Sequence, residues 1–326
     1  MLFVENNNTD PYQNHALEEW LMDSTEEDCF MLWRNDKAIL LGKNQNAYSE
    51  INMPYAMEQG IKIVRRITGG GTVFTDEGNI MFTFISCNGR KDFSDFLRFT
   101  DPILKALKSM GIPAEFSGRN DLTIKGEKFS GNAQCRYKEK LLHHGTLMYN
   151  ANTDELEKAL NVREIKLKSK GVSSVKSRVT NISEHMAVKM KIEEFRHFLF
   201  HEVKREMPDA RDYKLSREQW QEVRERSLMK HAAKEWIYGQ NPKFDLRKET
   251  KLSGGIVEVF LDIEKGKIAN TRIYGDFFGD GDPRVIEQGL KGILYEENTI
   301  RKTLSLYPVQ MYFGKISAEE LVSAII

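Results

Sequence analysis

The chain has 326 residues, of which 40% are hydrophobic and 29% charged, the balance of an ordinary globular protein with one large domain or a large and a small one. Its 48 basic and 48 acidic residues cancel, which removes the bulk electrostatic reason to expect a nucleic-acid or membrane-surface binder. No run reaches the ~18 apolar residues of a membrane span, and the first residues turn polar too soon for a signal peptide. Cys29, Cys87 and Cys135 lack metal-ligand spacing, so the expectation is a cytoplasmic protein with reduced thiols.

Asp10 before Pro11 predicts a helix start, with Asp as N-cap and Pro at the first helical position. Tyr12, Ala16, Trp20 and Leu21 then form one apolar stripe, and Glu18 and Glu19 read as solvated unless one of them reaches a site. Residues 30–33 and 38–41 read as two strands around a turn at 34–37. Trp33 suits either the core or a pocket wall.

The next stretch carries the first chemical signal. An apolar segment, 60–64, is followed by Arg65 and Arg66, then by Gly69, Gly70 and Gly71, and then by a second apolar run at 79–85. Glycines let backbone N–H groups turn toward one point, and beside two guanidinium charges that point suits phosphate or carboxylate. The stretch lacks the Lys-Ser/Thr ending of a P-loop and does not open a helix as a dinucleotide fingerprint would. The plain alternative is a tight hairpin with two surface arginines.

Phe93, Phe96, Leu97, Ile103, Leu104 and Leu107 keep a helical period that Gly111 stops, with Pro102 starting a new segment or kinking the first. Leu122 and Ile124 alternate with polar residues, and Lys125 with Gly126 predicts a hairpin turn. The returning strand carries Lys128 just before a break at Phe129, Ser130 and Gly131. A lysine there is a good phosphate partner, although most lysines are only solvated. In the next hairpin, 134–149, His143 and His144 are neighbours and point to opposite faces, which argues against a two-His metal site.

Residues 166–178 hold five cations and no acid, a solvated loop or a cover for a polyphosphate. Residues 193–206 read as an amphipathic helix on Phe195, Leu199 and Val203. His197 and His201 lie four apart on it but lack the H-E-x-x-H glutamate. Ser216 and Gln219 form a capping box for a long helix reaching 239, with Trp220, Val223 and Trp236 inward. A break at 240–243 precedes a strand pair at 255–262 and 267–274. Asp282 and Pro283 then read as a helix start rather than a calcium loop. A small second domain is expected here, dividing the chain into 1–246 and 247–326.

Taken together, these segments resemble the lipoate–protein ligases of bacterial type. The glycine signature is similar at Arg65, Arg66, Thr68, Gly69, Gly70, Gly71, Val73 and Phe74, with Asp76, Gly78 and Asn79 following. The second signature matches at Gly118, Arg119, Asn120, Asp121 and Leu122, then Lys128, Ser130 and Gly131. Further matches are His143 to Leu147, Ser169 to Val172, Ser177 to Asn181, and the entry to the small domain at Trp236, Tyr238, Gly239, Pro242 and Phe244. Nearly the whole chain is covered.

The resemblance implies an α/β (α+β) fold: a large mixed-sheet catalytic domain shared with biotin ligases and octanoyltransferases, plus a small α/β C-terminal domain. It implies adenylation of lipoate by Mg-ATP, then transfer of the lipoyl group to a lysine on apo lipoyl domains of 2-oxoacid dehydrogenases or the glycine-cleavage H protein. Neither nucleic acid nor membrane is an expected partner. Arg66, Gly71, Thr72, Val73, Phe74 and Lys128 match the ATP-contacting places. Lys128, as the catalytic residue, also matches the place that touches the lipoyl carboxylate, with Arg66 and Trp33 in the lipoate site. Arg65, Gly69, Gly70, Asn79, Asp121 and His144 are secondary candidates, and Asp121 is the candidate for Mg2+. Thr75 departs from the pattern, since many members carry histidine there.

Two other readings compete. An ATP-independent acyl transferase on the same fold needs a nucleophile, for which Cys135 is the cysteine nearest in sequence to these motifs, although no activating base adjoins it. A non-catalytic acyl-binding module would not need Lys128 and both arginines.

Overall fold

The computed structural model describes residues 1–118, 120–161, 179–207, 209–238, 246–264 and 266–326. By contacts the chain forms two units. One takes Met1–Leu40, Glu50–Arg65 and Val73–Ile237; the other takes Leu41–Ser49, Arg66–Thr72 and Tyr238–Ile326.

The larger unit is built on a mixed eight-stranded sheet. Its strands are β1 (Leu2–Val4), β2 (Cys29–Trp33), β6 (Asn79–Ser86), β7 (Ala114–Ser117), β8 (Asp121–Ile124), β9 (Glu127–Tyr137), β10 (Lys140–Met148) and β11 (Arg211–Tyr213). Their order is β11-β1-β2-β6-β10-β9-β8-β7, with β1 parallel to both its neighbours and antiparallel pairing from β2 onward. All eight residues of β6 are buried, as its continuous apolar run requires of a strand covered on both faces. A smaller sheet joins β4 (Lys62–Arg65), β3 (Ala38–Leu41) and β5 (Val73–Thr75) in the order β4-β3-β5. The two strands expected around residues 34–37 therefore belong to different sheets.

Alternation sorts the side chains of the large sheet. Phe30, Leu32, Ile80, Phe82 and Phe84 face one core, covered by the helices Phe96–Ser109 and Ile192–Arg205. Trp33 and Thr83 face the other side, where the helix Pro11–Ser24 lies. Asp10 caps that helix by accepting from the Tyr12 and Gln13 N–H groups.

Three local expectations change. Pro102 starts no new segment: it lies inside the helix Phe96–Ser109, with Phe99, Ile103 and Leu104 buried in the core on either side of it, and packing outweighs the ~3 kcal/mol that an interior proline costs. The break expected after Lys128 is instead a bulge within a continuous β9. The long helix from Ser216 is interrupted: Arg217–Arg226 passes into a π-turn at Ser227–His231 before Lys234–Tyr238.

The second unit carries a three-stranded antiparallel sheet of β12 (Leu246–Leu252), β13 (Gly255–Glu264) and β14 (Lys267–Gly275). Helices from Arg284–Leu290 to Ala318–Ile325 close its core around Val257, Val259, Phe277 and Phe313. The helix start falls one residue past expectation, with Pro283 at the cap and the Asp282 carboxylate accepting from the Arg284 N–H.

Candidate functional site

In the larger unit Lys128 and Asp121 come together. β8 and β9 meet at the turn Lys125–Gly126, whose φ values of 52° and 84° are those of a tight hairpin turn. Farther along, Leu122 pairs with Ser130 but Thr123 pairs with Lys128, so Phe129 is an extra residue. This bulge re-aims the strand, placing Lys128 on the face that Asp121 and Gly131 share while Phe129 stays in the core. The Lys128 Nζ reaches the Asp121 carboxylate at 2.6 Å. A Cβ on Gly131 would lie 2.9 Å from that nitrogen, so the glycine is what leaves the ammonium its berth. The Lys128 side chain is 36% exposed, open to a ligand yet held in place.

On the sheet face beneath the helix Pro11–Ser24 lies a buried polar chain. The Trp33 indole N–H donates to Thr83 Oγ1 at 2.9 Å, and Thr83 donates to Glu18 Oε1 at 2.7 Å. His144 Nδ1 meets the same oxygen at 2.8 Å, and His15 Nδ1 meets Oε2 at 2.8 Å. Glu18 is fully buried, not solvated as its sequence position suggested. Burial pushes its carboxyl pKa up, but the His144 charge and hydrogen bond, then the His15 hydrogen bond, pull harder and hold it well below the usual carboxylate range. His15 moves down to about 4, chiefly through burial, and is neutral at pH 7. His143 points the opposite way, into Phe82, Phe96 and Phe99.

The donor atoms of His15, Glu18 and His144 lie within 4.8 Å of one another, close enough for a metal cage. Thr83 and the two imidazoles already satisfy the carboxylate. Sequence reasoning singled out His144 but missed His15 and did not tie Glu18 to it, although Asn14, Glu18 and Leu21 share a helical face and the fully buried Leu21 marks it as inward.

Neither arginine before the glycines is a surface residue. Arg65, 6% exposed, donates from Nε and Nη2 to the Ile237 carbonyl at 2.9 and 2.6 Å, and Trp236 returns an indole N–H to the Arg65 carbonyl at 2.9 Å. β5 holds Val73 and Phe74 against β3, with Phe74 buried. Thr75 is buried against Ala38 and Asn35, and Asn79 closes the turn after β5 by accepting from the Asp76 N–H.

In the other unit Arg66 folds over its own loop. Its Nη2 donates to the Gly69 and Gly71 carbonyls, both at 3.0 Å, and its Nε to Thr68 Oγ1 at 3.2 Å. Gly70 has φ +92°, and an added Cβ would press on the Phe278 ring at 3.0 Å. At Gly71 a Cβ would meet nothing within 4 Å, so its backbone faces open space. Thr72 donates to Gln45 at 2.8 Å. The basic run at 166–178, with Arg119, Gly239, Pro242 and Phe244, lies outside the described residues.

Two family descriptions match: "Lipoyl protein ligase A/B catalytic domain" over residues 10–204 and "Bacterial lipoate protein ligase C-terminus" over 241–325. The chain belongs to the lipoate–protein ligase family. It is 41% identical over 325 residues to lipoate–protein ligase 1 of Staphylococcus aureus strain Mu50, with 99% of each chain covered. It is 39% identical over 330 residues to the lipoate-protein ligase LplJ of Bacillus subtilis strain 168, covering all of both chains. Among solved structures, P. falciparum LipL1 in complex with lipoate superposes with a TM-score of 0.77 at 26% identity, covering 99% of this chain and 97% of that one. In this ligase no helix among the described residues is long and apolar enough to cross a membrane.

Proposed function

We propose that this ligase divides its work between the glycine loop and the bulged hairpin, within a catalytic part at 1–246 and an accessory part at 247–326. The reaction is that of the family: ATP activates lipoate as lipoyl-AMP, and the lipoyl group passes to a protein lysine. In our assignment Arg66, Gly71, Thr72, Val73, Phe74 and Lys128 contact ATP, and Arg66, Lys128 and Trp33 contact lipoate. Arg65, Gly69, Gly70, Asn79 and His144 shape these surroundings. The acceptors are apo lipoyl domains of 2-oxoacid dehydrogenases and the glycine-cleavage H protein.

The observation that carries this reading is the Lys128 ammonium, partly exposed and seated over Gly131. In the first step a lipoate carboxylate oxygen attacks the α-phosphorus, and the bond from that phosphorus to pyrophosphate breaks. Negative charge approaches negative charge, so a fixed cation stabilises the transition state more than the separated reactants. In the second step the acceptor amine attacks the acyl carbon and AMP departs with its oxygen.

Mg2+ prefers one or two carboxylates together with substrate phosphates, and Asp121 fits that need as a hard oxygen donor beside Lys128. Bound there with ATP, the ion would neutralise phosphate charge.

Lys128→Ala tests the assignment. Lipoate-dependent pyrophosphate release is expected to fall roughly a hundredfold or more, the usual cost of one such donor. Unchanged release would remove Lys128 from the chemistry.

A further inference from the structure

The bulge at Phe129 leaves Lys128 with less support from β8 than regular pairing would give, because an extra residue disrupts the ladder locally. What holds the other side of β9 therefore decides where Lys128 sits. Pairing of β10 with β9 runs from Asn132 to Tyr137. At Lys128 the partner is instead Val179, in parallel register, and the Thr180 N–H donates to the Lys128 carbonyl at 2.9 Å.

The next residue, Asn181, ties that segment down. Its buried amide binds one residue twice, accepting from the Ala151 N–H at 2.8 Å and donating to the Ala151 carbonyl at 3.1 Å. The Ser183 N–H adds a bond to the Tyr149 carbonyl at 3.0 Å. The same stretch of chain is also held by the turn after β5. There the buried Asp76 accepts from the Asn152 N–H and from the Gly78 N–H, both at 2.8 Å. The Gly78 carbonyl accepts from the Tyr149 and Asn150 N–H groups at 3.1 and 2.9 Å. Contact is so close that a Cβ on Gly78 would lie 2.1 Å from the Asn150 carbonyl oxygen. Residues 149–152 thus join two things: the turn that ends the strand of Val73 and Phe74, and the backbone partner of Lys128.

On the reading that Lys128 stabilises the adenylation transition state, we propose that Asn181 and Asp76 are positioning residues for its ammonium. They act through residues 149–152, fixing the Lys128 backbone relative to β5. Buried groups of this kind hold a backbone stiffly, because any partner left unpaired in the interior is costly. The cation must stand where charge develops, and a displacement of about an ångström can cost roughly a hundredfold in rate.

The test is lipoate-dependent pyrophosphate release by the full-length ligase, with melting temperatures measured alongside. Asn181→Ala should lower kcat by up to roughly a hundredfold, with a smaller change in the KM for lipoate, since the loss falls on the transition state. Asp76→Asn, isosteric but with one acceptor oxygen in place of two, should lower kcat in the same direction by less. Asn181→Ala/Lys128→Ala should be no slower than Lys128→Ala, because the clamp acts through the ammonium that both lack. Asn152→Ala, which removes only the side-chain cap of the helix Thr153–Ala159, should lower the melting temperature and leave kcat unchanged. Wild-type kcat in a folded Asn181→Ala would overturn the proposal; if that variant does not fold, wild-type kcat in Asp76→Asn would do so. Additive loss in the double variant, or an equal loss of kcat in Asn152→Ala, would reduce the clamp to general stability. Unchanged release in Lys128→Ala alone would instead remove the reading of Lys128 and its clamp together.

Discussion

Glu18 and His15 show how much a single buried charge depends on its neighbours. Glu18 keeps its charge in the interior because Thr83, His144 and His15 all direct polar hydrogens at it. His15 stays neutral, its pKa moved by burial from the ordinary 6.5 to about 4. The unfolded chain then binds more protons between those values, so stability falls as pH drops through that window. Glu18, held low in the fold, adds its own loss only below its unfolded value of 4.5. In His15→Leu the decline in urea midpoint between neutral pH and about 4 should be shallower than in the wild type; an equal decline would place the sensitivity elsewhere. None of this was legible locally. Thr83 and His144 lie 65 and 126 residues from Glu18, and a helical period says which face turns inward but not what waits there. Lys128 was singled out only by the ordered motifs around it, since by itself a lysine before Ser130 and Gly131 reads as solvated.

Among the elements, the bulge in β9 does the positioning. In regular pairing Lys128 would fall on the face opposite Gly131; the extra residue brings both onto one face with Asp121. Gly131→Ala should therefore leave stability nearly unchanged, since the clash is with the tip of a flexible side chain. Lipoate-dependent pyrophosphate release should fall, by up to roughly a hundredfold if the ammonium shifts by an ångström. Wild-type release would mean that the berth over Gly131 is unimportant. Gly70→Ala acts differently: at φ +92° with Phe278 against it, it should lower thermal stability through strain of about 1–3 kcal/mol, checked by chemical denaturation. The hairpin turn at Lys125–Gly126 and the capping box at Ser216 were readable from residue type alone, since each depends on neighbours in sequence. The bulge at Phe129 and the helix through Pro102 were not, because buried neighbours outweigh local preference there; nor was the π-turn at Ser227–His231, where His231 meets Glu19, 212 residues away in sequence.

For the whole molecule, the glycine loop belongs by contacts to the unit that holds the C-terminal segment, together with Leu41–Ser49. Backbone bonds explain this membership: Arg66 N–H donates to the Leu41 carbonyl at 2.8 Å, Lys43 N–H to Thr68, and Gly275 N–H to Asn44. A linear reading of composition shifts sees only where the chain changes character, and so sees the loop as part of the first domain. The mixed sheet itself was foreshadowed by the ordered motifs, whose sequence neighbours fix the hairpins but whose long-range strand order they do not state. Acyl transfer to protein by this ligase requires ATP. This requirement is tested by incubating the purified protein with an apo lipoyl domain and lipoate, with and without ATP and Mg2+, and weighing the acceptor by mass spectrometry. A lipoyl mass increment on one acceptor lysine is expected only when ATP is present. The same increment without ATP would contradict it and return the chemistry to a transferase using a nucleophile such as Cys135.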